Sequence, residues 1–168
     1  MGRPYHFLLP LLSIFLVRVD LTDFYSINLE TPELKVLDGD TVQVKLGGTW
    51  HRLRVGLIDA PERGQIANGT DLGEYSANCL RRSLKKPWIV RIDGFDLYGR
   101  VLGDINGVSL SMIRQGCAYL YPYSRFSSVR QKGIYRDQVL KARRQKIGLW
   151  KFKVLNPYFH RRSKPKFQ

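Results

Sequence analysis

Apolar and polar residues alternate along several short stretches of this chain, a pattern typical of β-strands with one buried face. Val42, Val44 and Leu46 form one such stretch, and the Gly47-Gly48 pair after it predicts a hairpin turn. The predicted strands cover residues 34–37, 42–46, 53–57, 88–92 and 101–105.

Three further stretches predict helices, at residues 74–84, 110–114 and 135–146. In the last of them, Tyr135 and Ala142 are spaced along one helical face. Five short strands with three helices predict a mainly β protein with added α-helices, an α+β fold. The strand pattern favours a small, partly open five-stranded barrel over an alternating β-α-β sheet.

The two ends of the chain differ from its middle. Residues 7–17 are an apolar run that suits the hydrophobic region of a signal peptide and is short for a membrane span. We expect residues 1–22 to be a signal peptide or an uncleaved anchor, hence a secreted, periplasmic or envelope-associated protein. No small-x-small cleavage site follows, and a strand or helix packed on the domain is the alternative. Residues 23–33 are then a linker, 34–150 the folded domain and 151–168 a mobile basic tail.

Charge narrows the class of partner. The chain has 28 Lys and Arg against 14 Asp and Glu, a formal net charge of +14 at pH 7. Such a charge suits a protein that works beside a polyanion, with nucleic acid as the first candidate. A membrane surface, contacted through residues 7–17, is the second, and a merely basic soluble protein is the plainest alternative.

The two cysteines suggest no metal site. Cys79 and Cys117 have neither the spacing nor the neighbours of zinc ligands. We expect two buried thiols, and pairing stays open if the protein is exported.

Five charged residues near predicted turns and strand ends have the composition of a phosphodiester-cleaving site. Asp40 closes an Asp-Gly-Asp turn and Asp59 ends a strand, so a barrel can bring both carboxylates to one rim. Oxygen ligands there favour Ca²⁺ or Mg²⁺ over zinc. Arg54 and Arg100 can each pair with two phosphate oxygens. Glu62, in the loop after Asp59, can act as a general base.

Each of these residues has a plainer role when taken alone. Asp-Gly turns usually bind nothing, and a lone Arg is most often in a surface ion pair worth about 0–1 kcal/mol. Glu62 also suits a solvated loop. It is the complete set in one domain that favours a catalytic site.

Five short motifs also follow one another in a characteristic order. They are Leu-Asp-Gly-Asp-Thr-Val at 37–42, Arg-x4-Asp-x-Pro-Glu at 54–62, Asp-x-Tyr-Gly-Arg at 96–100, Ile-Arg-Gln-Gly at 113–116 and Gly-Leu-Trp at 148–150. Together they resemble the staphylococcal-nuclease (thermonuclease) family. Each motif is weak by itself, and their order over residues 34–150 carries the resemblance.

The resemblance implies an oligonucleotide-binding-type barrel with three helices. It also implies a Ca²⁺-dependent endonuclease that acts on DNA and RNA and leaves 3′-phosphate ends. The implied Ca²⁺ ligands are Asp40, Asp59 and the carbonyl oxygen of Ala60. The implied catalytic residues are Glu62 as general base, with Arg54 and Arg100 as phosphate-binding groups. The implied substrate-binding residues are Tyr98, Tyr121 and Tyr123, the last two for base stacking, with ordinary aromatic packing as the alternative.

Two functions fit these features: an active nuclease, and a non-catalytic module that binds nucleic acid. A module that only binds has no need of two metal carboxylates, a base and two arginines together, so the complete set favours the enzyme. We expect a monomer whose partners are its DNA and RNA substrates, with no obligate protein partner.

Overall fold

The computed structural model of this chain describes residues 27–96, 98–121, 123, 127–153 and 156–163. The predicted signal peptide or anchor, residues 1–22, lies outside these ranges. Within them, no helix combines the length and the apolar character that a membrane span requires.

The strands of the described residues form one six-stranded sheet and two small pairs. They are β1 (Ile27–Thr31), β2 (Leu34–Val36), β3 (Thr41–Leu46), β4 (Thr49–Val55), β5 (Ile58–Asp59), β6 (Ile66–Ala67), β7 (Thr70–Asp71), β8 (Trp88–Phe95), β9 (Val101–Ile105) and β10 (Tyr119–Leu120). The large sheet has the order β1-β8-β9-β4-β3-β2, and β4 and β9 are its parallel neighbours. The pairs are β5 with β10 and β6 with β7.

Strand β1 differs from the sequence prediction, which assigned residues 23–33 to a linker. It pairs antiparallel with β8, from Ile27 opposite Ile92 to Thr31 opposite Trp88. The buried hydroxyl of Thr31 donates to the carbonyl of Lys45 on β3 at 2.9 Å. Because β1 and β2 are consecutive in the chain, the two edges of the sheet adjoin there. Taken as one bent strand, β1 and β2 complete a five-stranded, barrel-like sheet.

The helices are α1 (Leu72–Ser83), α2 (Val108–Arg114), α3 (Val129–Arg144) and α4 (Pro157–Ser163), with a 3₁₀ turn at Gly148–Lys151. All three predicted helices are present, and the predicted α+β class is confirmed. Helix α3 begins before the predicted residue 135, because the side chain of Ser128 caps it by accepting from the N–H of Gln131.

Helix α4 corrects two expectations, since we predicted three helices and a mobile tail from residue 151. The tail contains this fourth helix, which begins at Pro157 after Asn156. The side chain of Asn156 accepts a hydrogen bond from the N–H of Tyr158 at 2.9 Å, as an N-terminal cap does. Proline at the first helical position and a capping Asn before it are a helix-start signal that the tail's charge obscured.

The core lies between the sheet and helices α1 and α2. Leu53 and Val55 of β4 pack with Val90 of β8, Leu80 of α1 and Met112 of α2, and all five are fully buried. Burial of side chains this size stabilises the fold by about 1.5–3 kcal/mol each. The core thereby holds the strand ends that carry the candidate site.

Cys79 and Cys117 form a disulfide, so the expectation of two buried thiols was wrong. Their Cα atoms are 6.1 Å apart although 38 positions separate them in sequence. Packing of α1 beside the segment that leaves α2 brings them within bridging distance, which sequence spacing alone does not reveal.

Candidate active site

Arg54 joins the two predicted metal carboxylates. Its Nη1 donates a hydrogen bond to Oδ1 of Asp40, and its Nη2 donates to Oδ1 of Asp59 at 2.9 Å. Backbone pairing produces this arrangement. Thr41 lies opposite Arg54 in the β3–β4 register, and the N–H of Val55 donates to the carbonyl of Asp40 at 2.8 Å. These three side chains are called the Asp40–Arg54–Asp59 cluster below.

Both carboxylates of the cluster are buried, with Asp40 5% and Asp59 1% exposed. The second oxygen of Asp40 accepts from the N–H of Ala60 at 2.8 Å. Burial raises the pKa of Asp40 to about 6 against the opposing charge of Arg54, and the neighbouring carboxylate of Asp38 adds to the rise. A cation bound at these carboxylates would favour their ionised form.

Two glycines let the loops of the site pack against α1. A Cβ at Gly39, in the turn before Asp40, would lie 2.1 Å from the hydroxyl oxygen of Ser76. A Cβ at Gly73 would lie 2.5 Å from the backbone carbonyl of Glu62. Real Cβ atoms essentially never lie below 3.0 Å from another heavy atom. Glycine at position 39 therefore lets the turn approach α1, and glycine at position 73, within α1, lets the backbone of Glu62 approach the helix.

Glu62 is connected to the cluster through Arg161 of helix α4, which no sequence motif indicated. Nη1 of Arg161 donates to Glu62 at 3.1 Å, and its Nη2 lies 3.0 and 2.9 Å from the two carboxylate oxygens of Asp59. In the Arg161–Glu62 ion pair both side chains are partly exposed, Arg161 at 39% and Glu62 at 45%. The contact spans about a hundred positions of sequence, and no local pattern encodes it.

Arg100 occupies a different position from the other predicted catalytic residues. Its Nε donates to Oδ2 of Asp96 at 2.7 Å, and the N–H groups of Arg100 and Tyr98 both donate to Oδ1 of Asp96 at 2.9 Å. The guanidinium also lies 5.7 Å from the ring centre of Tyr98. Arg100 directly precedes β9, in which Leu102 is the register partner of Arg54. The sheet therefore places Arg100 beside the strand that carries Arg54, with its side chain held by Asp96.

The tyrosines in and after β10 differ in exposure. Tyr119 is buried and packs edge-on against Trp150, with ring centres 5.0 Å apart. Tyr123 is 62% exposed, and its ring centre lies 5.7 Å from that of the half-buried Tyr121. The N–H of Tyr121 donates to the carbonyl of Leu57, two residues before Asp59. Tyr119, the register partner of Asp59, is thus a core residue, whereas Tyr121 is tied to the residues before Asp59 and Tyr123 packs on Tyr121 with most of its ring exposed.

The residues present suit a hard cation in donor type. Asp40 and Asp59 supply carboxylate oxygens, and the carbonyl of Ala60 and water would complete an oxygen-only set. Among the described residues there is no group of three or more His, Cys, Asp and Glu placed to hold a metal. In this structure the positive charge beside Asp59 comes from Arg54 and Arg161.

Most residues of the candidate site lie within a segment that matches a known protein family. The family described as "Staphylococcal nuclease homologue" matches residues 52–152, more than half of the chain. The chain belongs to the staphylococcal-nuclease family. Its matched segment contains Arg54, Asp59, Glu62 and Arg100, whereas Asp40 precedes the segment and Arg161 follows it.

Several relatives of this staphylococcal-nuclease family chain carry nuclease names. It is 33% identical over 124 residues to an uncharacterized endonuclease of Escherichia coli, a match that covers 70% of this chain and 74% of the relative. A micrococcal nuclease of Shigella flexneri is 28% identical over 130 residues, covering 70% and 71%. A probable endonuclease, LCL3, of Vanderwaltozyma polyspora is 27% identical over 143 residues, covering 78% and 48%. Family membership supports a nuclease, a hydrolase that acts on nucleic acid.

Proposed function

We propose that this nuclease is a Ca²⁺-dependent endonuclease that hydrolyses phosphodiester bonds of both DNA and RNA and leaves 3′-phosphate ends. The observation that carries the proposal is the guanidinium of Arg54 between the buried carboxylates of Asp40 and Asp59. This arrangement puts the donor type of a hard cation next to the group that pairs with phosphate oxygens.

In the proposed mechanism, the phosphate meets positive charge from two sources, a bound cation and two arginines. Ca²⁺, held by Asp40, Asp59 and the carbonyl of Ala60, would supply Lewis-acid charge beside the phosphate. Arg54 donates N–H bonds to the non-bridging phosphate oxygens, and Arg100, oriented by Asp96, is the second such donor. These bonds strengthen as negative charge accumulates in the transition state, which is why they accelerate the reaction.

Glu62 is the proposed general base. Its carboxylate is partly exposed, so water can reach it. The guanidinium of Arg161 bridges this carboxylate to that of Asp59. It accepts a proton from the attacking water as the new P–O bond forms and the bond from phosphorus to the 5′ oxygen breaks. The 5′ oxygen takes a proton from solvent water as it leaves, and the phosphate stays on the 3′ end. Tyr98, Tyr121 and Tyr123 are the proposed substrate-binding side chains.

We also propose that the protein works in an oxidising compartment, outside the cytoplasm, as a monomer. The disulfide between Cys79 and Cys117 supports this, since such bonds persist mainly in exported proteins. Residues 1–22 remain the proposed signal peptide or anchor.

The function is tested by incubating the purified protein with single-stranded DNA, duplex DNA and RNA at alkaline pH in millimolar Ca²⁺. We expect cleavage of all three, loss of cleavage in EDTA and recovery when Ca²⁺ is restored. Product ends should block polymerase extension until a phosphatase removes the 3′-phosphate. Asp59→Asn should lose Ca²⁺-dependent cleavage, whereas Asp137→Asn, an exposed residue of α3, should retain it.

Two results would contradict parts of this proposal. Cleavage that persists in EDTA would contradict the metal assignment. Salt-sensitive nucleic-acid binding without cleavage would favour the non-catalytic binding module instead.

A further inference from the structure

Helix α4 places a positive charge on the carboxylates of the candidate active site. Arg161 contacts both oxygens of Asp59 and one oxygen of Glu62, at 2.9–3.1 Å. Asp59 is 1% exposed, so α4 reaches a carboxylate that solvent hardly touches. One side chain of the tail thus holds a proposed metal ligand and the proposed base together.

The same helix also covers the aromatic side of the site. Tyr158, three residues before Arg161, has its ring centre 5.9 Å from that of Tyr123, with the planes tilted by 37°. Tyr123 is in turn 5.7 Å from Tyr121. A base that stacked on Tyr123 would compete with Tyr158 for part of this surface.

The guanidinium of Arg161 and a hard cation would compete for the carboxylate of Asp59. Arg161 already donates to both oxygens of Asp59, and a cation bound there would stand beside a like charge within a buried site. A nucleic-acid phosphate would offer Arg161 another anionic partner and draw it from Asp59.

The docked helix is suited to leaving. It has seven residues, too few for a helix that is stable by itself in water. Its ion pair with Glu62 joins two partly exposed side chains, a class of contact that contributes little. The stronger contact is the one with buried Asp59, which a cation bound to Asp59 would replace.

We propose that helix α4 is an autoinhibitory segment whose Arg161 and Tyr158 occupy the positions of the cation and a nucleotide base, and which metal and nucleic acid displace together. The proposal rests on the proposed function, since it takes Asp59 as a cation ligand and Tyr123 as a base-stacking residue. Displacement frees Asp59 for the cation and Glu62 for the attacking water.

The first test measures Ca²⁺ binding by titration calorimetry on the full-length protein without nucleic acid. Arg161→Ala should bind Ca²⁺ about three- to tenfold more tightly than the parent, because a covered site lowers apparent affinity by the uncovered fraction. The control, Arg143→Ala, removes an equal charge from an exposed position on α3 and should leave the affinity unchanged. Equal or weaker Ca²⁺ binding by Arg161→Ala would overturn the proposal.

The second test measures release of the tail in the parent protein by limited trypsin digestion. A short single-stranded DNA oligonucleotide should accelerate cleavage after Lys151 and Lys153, because α4 leaves the site that the oligonucleotide enters. Unchanged or slower cleavage would contradict displacement. If neither the parent nor Arg161→Ala binds Ca²⁺, the metal assignment fails by itself, and the oligonucleotide result then decides the role of α4.

Discussion

At the scale of a single residue, Arg54 has a structural role in the cluster and a proposed role in catalysis. Burial opposes its charge, but the carboxylates of Asp40 and Asp59 prevail and raise the pKa of Arg54. The residue therefore neutralises two buried acids, and in the proposed mechanism it also presents N–H donors to a phosphate. Its replacement must be tested for stability as well as for catalysis, because a buried pair that loses one partner leaves an uncompensated charge.

Arg54→Lys is the variant that separates these tasks, since lysine keeps the charge and loses the planar fork. We expect the cleavage rate to fall about 10²–10³-fold, the usual loss for a transition-state donor. Arg52→Lys, an exposed residue two positions earlier on the same strand, is the control and should keep its rate. Urea unfolding of both variants would show whether folding contributes, and a normal rate for Arg54→Lys would refute the assignment.

Glu62→Gln tests the proposed base while preserving side-chain shape. The rate should fall about 10²–10⁴-fold because the amide cannot accept the proton of water. Ca²⁺ affinity should change little, since Glu62 is not a proposed ligand. Glu33→Gln, an exposed acid in the β1–β2 connection, is the matched control. Equal losses of cleavage rate in Glu62→Gln and Glu33→Gln would show that the removal of any negative charge slows the reaction, rather than the removal of a base.

At the scale of elements, the N-terminus of α1 depends on Asp71. Its carboxylate accepts from the N–H of Gly64 at 2.9 Å and of Glu74 at 3.1 Å, and these bonds lower the pKa of Asp71. A lowered pKa means that this stabilisation is complete above the unfolded-state value and is lost as pH falls through the folded-state value.

Asp71→Ala should therefore lower the free energy of unfolding by about 1 kcal/mol at pH 7, the usual cost of a lost cap. The deficit should shrink in acid, as the parent's own Asp71 becomes protonated. Urea unfolding at pH 7 and at pH values below the ordinary Asp pKa measures both effects. Asp71→Asn keeps one oxygen for the N–H of Glu74 but has no second oxygen for the N–H of Gly64, so it should lose the pH dependence and only part of the stability. If the stability difference between Asp71→Ala and the parent did not change with pH, the ionised carboxylate of Asp71 would not be its cause.

The disulfide joins α1 to the segment that leads into β10, the partner strand of Asp59. Its removal in the Cys79→Ala/Cys117→Ala double variant should lower the free energy of unfolding by about 2–4 kcal/mol, because the unfolded chain regains freedom. A reductant should destabilise the parent and leave the double variant unchanged. Two free thiols titrated in the freshly purified, unfolded parent would contradict the bond.

At the scale of the whole molecule, β1 is part of the folded domain, because it pairs with β8 along its length. A chain that starts at residue 34 loses the whole β1–β8 ladder and the bonds of Thr31, whereas a chain that starts at residue 27 keeps them. At a net of about 1 kcal/mol per hydrogen bond, the shorter chain should be less stable by roughly 2–5 kcal/mol. Thermal unfolding of the two chains, compared with the full-length protein, measures this. Equal stability of both would support the predicted linker.

Local patterns predicted most of the fold and part of the site. Alternation located the five strands that carry the core. Side-chain caps at Asp71 and Ser128 explain why α1 and α3 begin before their predicted first residues. Strand β1 escaped notice because Asn28, Leu29 and Glu30 are exposed and pack little into the core, so it is held mainly by backbone pairing. The fourth helix escaped notice because its charge favours a solvated tail.

The candidate site was also predicted from the sequence only in part. The sequence singled out Asp40, Arg54 and Asp59 by residue type, and the structure brings them into contact. Arg100 lies with Asp96, and its role in phosphate binding stays a prediction. Arg161 had no local signal, because its partners are distant acids.

By itself, the sequence determined the strand pattern, the residue types at the site and the family to which the chain belongs. These depend on local periodicity and on short motifs. Tertiary structure decided that β1 pairs with β8 at the edge of the sheet, that two cysteines bond and that Arg161 contacts Asp59. Each of these depends on contacts between residues far apart in sequence, whose distance is set by how the sheet and helices pack.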